Sequence, residues 1–194
     1  MSIRNVILCG VGGQGTILAS KLIAAAAMRK GWHVMSAETI GMAQRGGSVY
    51  SNLRFGDDPI HAPLIGRGEA DLLIGFEPGE TVRMLPWLKP DGQVVANTGA
   101  VMPTVALLAG QTYDGKTMCD YLRQAVAPGH LLLCDGDRCR RELGTARVLN
   151  VFLLGQAVRS GALGLTEADV AAVFPDLIKP RFLVLNQQSF ELGR

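Results

Sequence analysis

The chain has 194 residues, the length of one ordinary domain, with 48% apolar residues, 19% charged residues and a net charge of +2. That balance, without a basic block, does not indicate an electrostatic nucleic-acid binder. The longest uncharged stretch, Gln93 to Tyr113, is broken by Asn97, Thr98, Pro103 and Gln111, so it is not a membrane span.

In chain order, Asn5 to Cys9 is a short apolar run, as expected of a strand buried on both faces. A glycine cluster, Gly10-Val-Gly-Gly-Gln-Gly15, cuts it off, and no small-residue cleavage site follows, so no signal peptide is expected. Thr16 to Lys30 reads as a helix, stopped by Gly31, and its Ala24–Ala27 run suits close helix packing. His33 to Ala37 reads as the next strand, which makes a β-loop-α-β unit with a right-handed crossover. Gly41 to Ser48 is a polar loop. Ser48 to Phe55 alternates, with Val49, Ser51, Leu53 and Phe55 on one side, and Gly56-Asp57-Asp58 is a turn signal that makes a hairpin a candidate there. Ala70 to Phe76 is another buried strand, and Pro78 opens a short helix to about Leu88. Pro90-Asp-Gly marks a turn, followed by a strand at Gln93 to Asn97, a helix at Lys116 to Ala127 and a strand at His130 to Cys134. The last third turns helical: Arg147 to Ser160, a helix capped by Thr166, a break at Lys179-Pro180, and a final turn or two. Strands alternating with helices predict an α/β fold: a three-layer, Rossmann-like domain with a largely parallel sheet and a more helical C-terminal third. No linker divides residues 1–194, so one domain is expected.

Cysteine usage points to a reducing, cytoplasmic setting. Cys9, Cys119, Cys134 and Cys139 form no CxxC, so neither a zinc ribbon nor a redox dithiol is suggested, and no cluster-type spacing is present. His33, His61 and His130 are unlinked by spacing, and no metal site is expected. Trp32 and Trp87 are expected to fill the core or a subunit contact.

Two loops carry the chemistry. Gly10-x-Gly12-x-x-Gly15 follows a strand and opens a helix. In such a loop Gly10 permits a tight turn, Gly12 lets the backbone approach a ligand, and Gly15 lets helix and strand pack closely. The helix N-terminus offers free N–H groups to a phosphate, Gln14 adds a donor, and Thr16 adds a hydroxyl. Gly13 completes the loop. The bland alternative is a tight turn with no ligand. Glu38 stands where a dinucleotide fold holds a ribose, so a stand-alone NAD- or nucleotide-binding protein is an alternative. No Gly-Lys-Ser/Thr ending exists, which excludes a Walker loop. In the second loop, Gln44-Arg45-Gly46-Gly47-Ser48, Arg45 could clamp a phosphate or carboxylate with glycine N–H groups and the Ser48 hydroxyl beside it. The alternative is a solvated arginine on a turn. Glu77 reads equally as facing the same cleft or capping the next helix. Asn150 reads as holding a loop, with a ligand contact as the alternative.

GVGGQG after the first strand and GMAQRGGSV after the second resemble the gamma subunit or domain of 2-oxoacid:ferredoxin oxidoreductases. Within that family the likeness is strongest to the small beta-subunit branch of the indolepyruvate-type enzymes. Gly68-Glu-Ala-Asp-Leu-Leu, Phe76-Glu-Pro, Asn150 to Gly155 and Phe190-Glu-Leu-Gly carry it over nearly the whole chain. The resemblance implies a subunit, inactive alone, of an enzyme that oxidatively decarboxylates a 2-oxoacid to an acyl-CoA. It implies thiamine diphosphate and iron–sulfur clusters in large catalytic partner subunits, with ferredoxin as acceptor. It implies coenzyme A at or near this chain, with Arg45 and Gln44 as active-site residues. The cofactor loops would be Gly10, Gly12, Gly13, Gln14, Gly15 and Thr16, with Arg45, Gly46, Gly47 and Ser48. At Thr39-Ile40 the sequence departs from related small subunits, so the 2-oxoacid is left open. The isolated chain could form a homodimer, and the thin charge fits a surface partly covered by a partner.

Overall fold

In the computed structural model, residues 3–38, 46–102, 108, 110 and 112–192 are described. The first strand, β1 (Arg4–Val11), is buried along its centre because its side chains are apolar on both sides. It lies inside a six-stranded sheet ordered β2-β3-β1-β4-β5-β6. The other strands are β2 (His33–Glu38), β3 (Ser48–Gly56), β4 (Ala70–Gly75), β5 (Leu88–Asn97) and β6 (Leu131–Cys134).

β4, β5 and β6 run parallel to one another and to β1, whereas β3 is antiparallel to both β1 and β2. The sheet is therefore largely parallel, with one reversed strand. The first helix, α1 (Thr16–Arg29), carries the chain from β1 past β3 to β2. β2 is parallel to β1 as the β-loop-α-β reading requires, but it is not β1's neighbour. The expected hairpin also moves. β3 pairs back onto β2, and Gly56-Asp57-Asp58 does not lead into a strand that pairs with β3. Pro90-Asp-Gly, read as a turn, lies inside β5. The register against β4 jumps there, from Ala70 opposite Leu88 to Leu72 opposite Gln93. A proline lacks the N–H a ladder needs, so it is accommodated at an irregularity.

Alternation splits the core into two layers. Val6, Leu8, Leu53, Phe55, Leu72 and Ile74 pack against α1 and the C-terminal helices. Ile7, Cys9, Leu73 and Val94 pack on the opposite face, with Met84 and Leu122. The second layer is built by α2 (Pro78–Met84) and α3 (Gly115–Ala125). The C-terminal third supplies α4 (Asp137–Leu143), α5 (Leu149–Arg159), α6 (Glu167–Ala171), α7 (Phe174–Leu177) and α8 (Leu183–Glu191). α4 escapes the sequence reading because it is short and carries three arginines and two acids with few apolar positions. α8 is longer than the turn or two expected. Trp32 stacks on Phe55 with ring centroids 5.9 Å apart, so it belongs to the core layer.

Candidate functional site

The carboxyl ends of the parallel strands gather the glycine loop, and α1 starts there. Gly10 is the penultimate residue of β1 and serves close packing, not the turn itself. A Cβ at that position would sit 2.7 Å from both Phe76 Cβ and Gln14 Oε1. The turn falls to Gly13 and Gly15, whose φ angles of +104° and +85° favour glycine. Gly15 is the N-cap of α1, with no side-chain cap and no acid in the first turn. The helix N-terminus thus keeps its partial positive charge uncompensated by a neighbouring carboxylate on its own first turn.

The two glycine loops touch. The Gly12 N–H donates to the Gly47 carbonyl at 2.8 Å, and the Gly46 N–H donates to the Gly12 carbonyl at 3.2 Å. These bonds extend the β1–β3 ladder one step past Val11 and Ser48. Gly12 therefore anchors one loop to the other, and its backbone groups are already engaged. Gln14 is engaged too. Its Oε1 accepts from Val11 N–H at 2.7 Å and its Nε2 donates to the Phe76 carbonyl at 3.1 Å. Asn97 Nδ2 donates to the same carbonyl at 3.1 Å. Gln14 is thus a strut between β1 and the end of β4. The Ser48 hydroxyl donates to Glu80 on α2 at 2.5 Å.

Beside this joint a pocket of about 260 Å³ opens between the α1 N-terminus and β3. Gly13, Gly15, Thr16 and Ile17 form one wall; Tyr50 and Ser51 form the other. Tyr50 is a residue the sequence reading did not weigh. The β3 alternation could have placed it at this end, but not beside α1. Gln44, Arg45 and Gly41 lie outside the described residues. A second crevice, about 320 Å³, opens on the other side of the Gly13-Gln14 turn, where Arg140 and Arg147 approach Asn97 and Gly99.

Glu77 resolves as a cap. Its carboxylate accepts from Glu80 N–H at 2.9 Å at the start of α2, and it also accepts from the Tyr113 hydroxyl at 2.5 Å. Asn150 holds the glycine loop from α5: Nδ2 donates to the Gly15 carbonyl at 3.3 Å. Glu38 does not occupy the ribose position. It pairs opposite Ser51, which pairs opposite Leu8, so it sits behind the tip of β1 with β3 between them. At about 4.8 Å per strand spacing, that is roughly 9.5 Å from β1.

All four cysteines are buried free thiols. Burial pushes each thiol upward, Cys134 to about 12, and nearby Glu80 adds to the effect at Cys9. They are poor ligands and poor nucleophiles in this state. Among the described residues, no group of His, Cys, Asp and Glu is arranged to hold a metal. Among them also, no helix is long and apolar enough to cross a membrane.

Comparison with known proteins places this geometry. Residues 5–194 match the family described as pyruvate ferredoxin/flavodoxin oxidoreductase. The chain is 31% identical over 189 residues to the indolepyruvate oxidoreductase subunit IorB of Thermococcus kodakarensis, covering 97% of this chain and 93% of that relative. Its fold matches the keto/oxoacid ferredoxin oxidoreductase gamma subunit from Geobacter sulfurreducens, with a TM-score of 0.73 at 19% identity, over 100% and 95% of the two chains. It also matches the 2-oxoglutarate:ferredoxin oxidoreductase from Magnetococcus marinus, a structure with 2-oxoglutarate, coenzyme A and succinyl-CoA bound. There the TM-score is 0.72 at 18% identity, over 100% of this chain and 30% of that one. With the family shown over nearly its full length, this chain belongs to the pyruvate ferredoxin/flavodoxin oxidoreductases, as a small, gamma-type subunit.

Proposed function

We propose that this chain is the gamma-type subunit of a thiamine-diphosphate-dependent 2-oxoacid:ferredoxin oxidoreductase and contributes to its coenzyme A site. The observation that carries the reading is the joint between the glycine loops. Gly46 and Gly47 are tied to Gly12, beside the uncapped start of α1. A helix N-terminus with no acid in its first turn suits a phosphate group. Thr16 and the Gly13–Gly15 turn line the same pocket. Coenzyme A supplies the thiol that takes the acyl group. This chain's part is to bind and orient it: Gly12 and Gln14 hold the loops, the first turn of α1 offers donors, and the likeness of the second loop to the family assigns Arg45 and Gln44 to the anion.

On this reading thiamine diphosphate and the iron–sulfur clusters belong to large partner subunits, with ferredoxin as acceptor. The buried, unclustered thiols of this chain do not fit cluster ligation. The relative's indolepyruvate makes an aryl pyruvate the first 2-oxoacid to assay. The cytoplasm is the compartment such an electron-transfer assembly suits. In the assembled enzyme, Arg45→Ala should raise the KM for coenzyme A by about tenfold, the loss of roughly 1.4 kcal/mol of binding. The KM for the 2-oxoacid should change little. An unchanged coenzyme A KM would remove Arg45 from the site.

A further inference from the structure

We propose that a second cavity, in the C-terminal helical layer, binds a small amphipathic carboxylate. The inference stands apart from the coenzyme A reading and uses other residues. The cavity measures about 550 Å³ and lies between the first turn of α1, the start of α5 and the segment joining α7 to α8. That size is in the range of small-molecule sites, roughly 300–1,000 Å³. Its walls are apolar: Leu18, Leu177, Ile178, Phe182 and Leu185. Two cations, Arg147 and Lys179, stand at it, and neither side chain is paired with a carboxylate among the described residues. No acid lines it among those residues.

Asn150 stands at the inner wall of the cavity. It is only 4% exposed and lines the cavity, and its Oδ1 has no hydrogen-bond partner. Its Nδ2 is held by the Gly15 carbonyl, so the acceptor end is fixed. Apolar walls and two unpaired cations together describe a site for an apolar chain or ring that ends in one carboxylate. Arg147 and Lys179 hold the charged end; Leu18, Ile178, Phe182 and Leu185 cover the body.

The test titrates the full-length chain with octanoate and, as the uncharged control, octanol, by calorimetry and amide NMR. Octanoate should bind at least about tenfold more tightly than octanol and shift the amide signals of Leu18, Ile178 and Leu185. The double variant Arg147→Ala/Lys179→Ala changes only exposed side chains, so it keeps the fold. It should lower octanoate affinity to the octanol level and leave octanol unchanged. Leu18→Trp, checked for folding by circular dichroism, should block both. Equal affinity for the two probes, no binding, or shifts confined to other residues would overturn the proposal. So would loss of octanoate binding in the assembled complex, because the cavity would then belong to a subunit contact.

Discussion

Gly15 joins three constraints at one residue: a left-handed backbone, the N-cap of α1, and contact with Asn150. A Cβ there would lie 2.7 Å from Asn150 Nδ2, and the φ of +85° disfavours any side chain by about 1–2 kcal/mol. Gly15→Ala should therefore cost at least about 1–2 kcal/mol in denaturant unfolding. In an Asn150→Ala background the same substitution should cost less, because the overlaps with Asn150 Nδ2 and Cγ are gone and only a tight 3.2 Å approach to the remaining Cβ is left beside the backbone penalty. Equal costs in both backgrounds would show that the two residues are not coupled. The need for glycine here is visible in GxGxxG, but its cause was not. Sequence reading assigned Gly15 to helix–strand packing, whereas the close neighbour is a side chain 135 residues away. The thiols belong at this scale as well. With Cys9, Cys119, Cys134 and Cys139 all buried and their thiols pushed upward, a thiol reagent at about pH 8 should label the native chain slowly. All four should react once the chain is unfolded.

Among the elements, helix ends were read well and strand neighbours were not. Thr166 caps α6 in a reciprocal box with Asp169, as the Thr-x-x-acid spacing predicts. That box also sets a pH dependence. The Thr166 backbone N–H, then its hydroxyl and Lys30, hold the Asp169 carboxyl below its usual value. A depressed carboxyl contributes stability that is fully present above the unfolded value of about 3.9 and is lost as pH falls through and below it. Asp169→Asn should remove that part. Its unfolding midpoint should fall less between about pH 6 and about pH 3 than that of the unmodified chain. A parallel fall in both would contradict the assignment. Alternation identified β3 as a strand and sorted its faces, because side-chain period is a local property. It could not show that β3 wedges antiparallel between β1 and β2, since pairing depends on contacts distant in sequence. That wedge is what displaces Glu38 from the ribose position and opens the pocket at Tyr50. The Pro90 irregularity escaped for the same reason: only the partner strand shows that β5 continues through it.

At the scale of the molecule, the thin charge and the glycine loops take on specific meanings. Twenty-four glycines include the two loops whose backbones bond to each other at the end of the sheet. The small charged fraction accompanies exposed apolar side chains, among them Leu64 and Val184 at 66% and Met28 at 64%. A surface of that kind suits a chain that works against larger subunits. On the proposed function, this chain completes a thiamine-dependent 2-oxoacid:ferredoxin oxidoreductase held together by such contacts. The most direct measurement is purification of the tagged, full-length chain from its native cells, with analysis of what comes with it. A large subunit in fixed ratio should come with it, together with thiamine diphosphate and iron–sulfur clusters, and the assembly should show coenzyme A-dependent reduction of ferredoxin by a 2-oxoacid. Recovery of the chain alone, binding NAD and active without a partner, would contradict the proposed function.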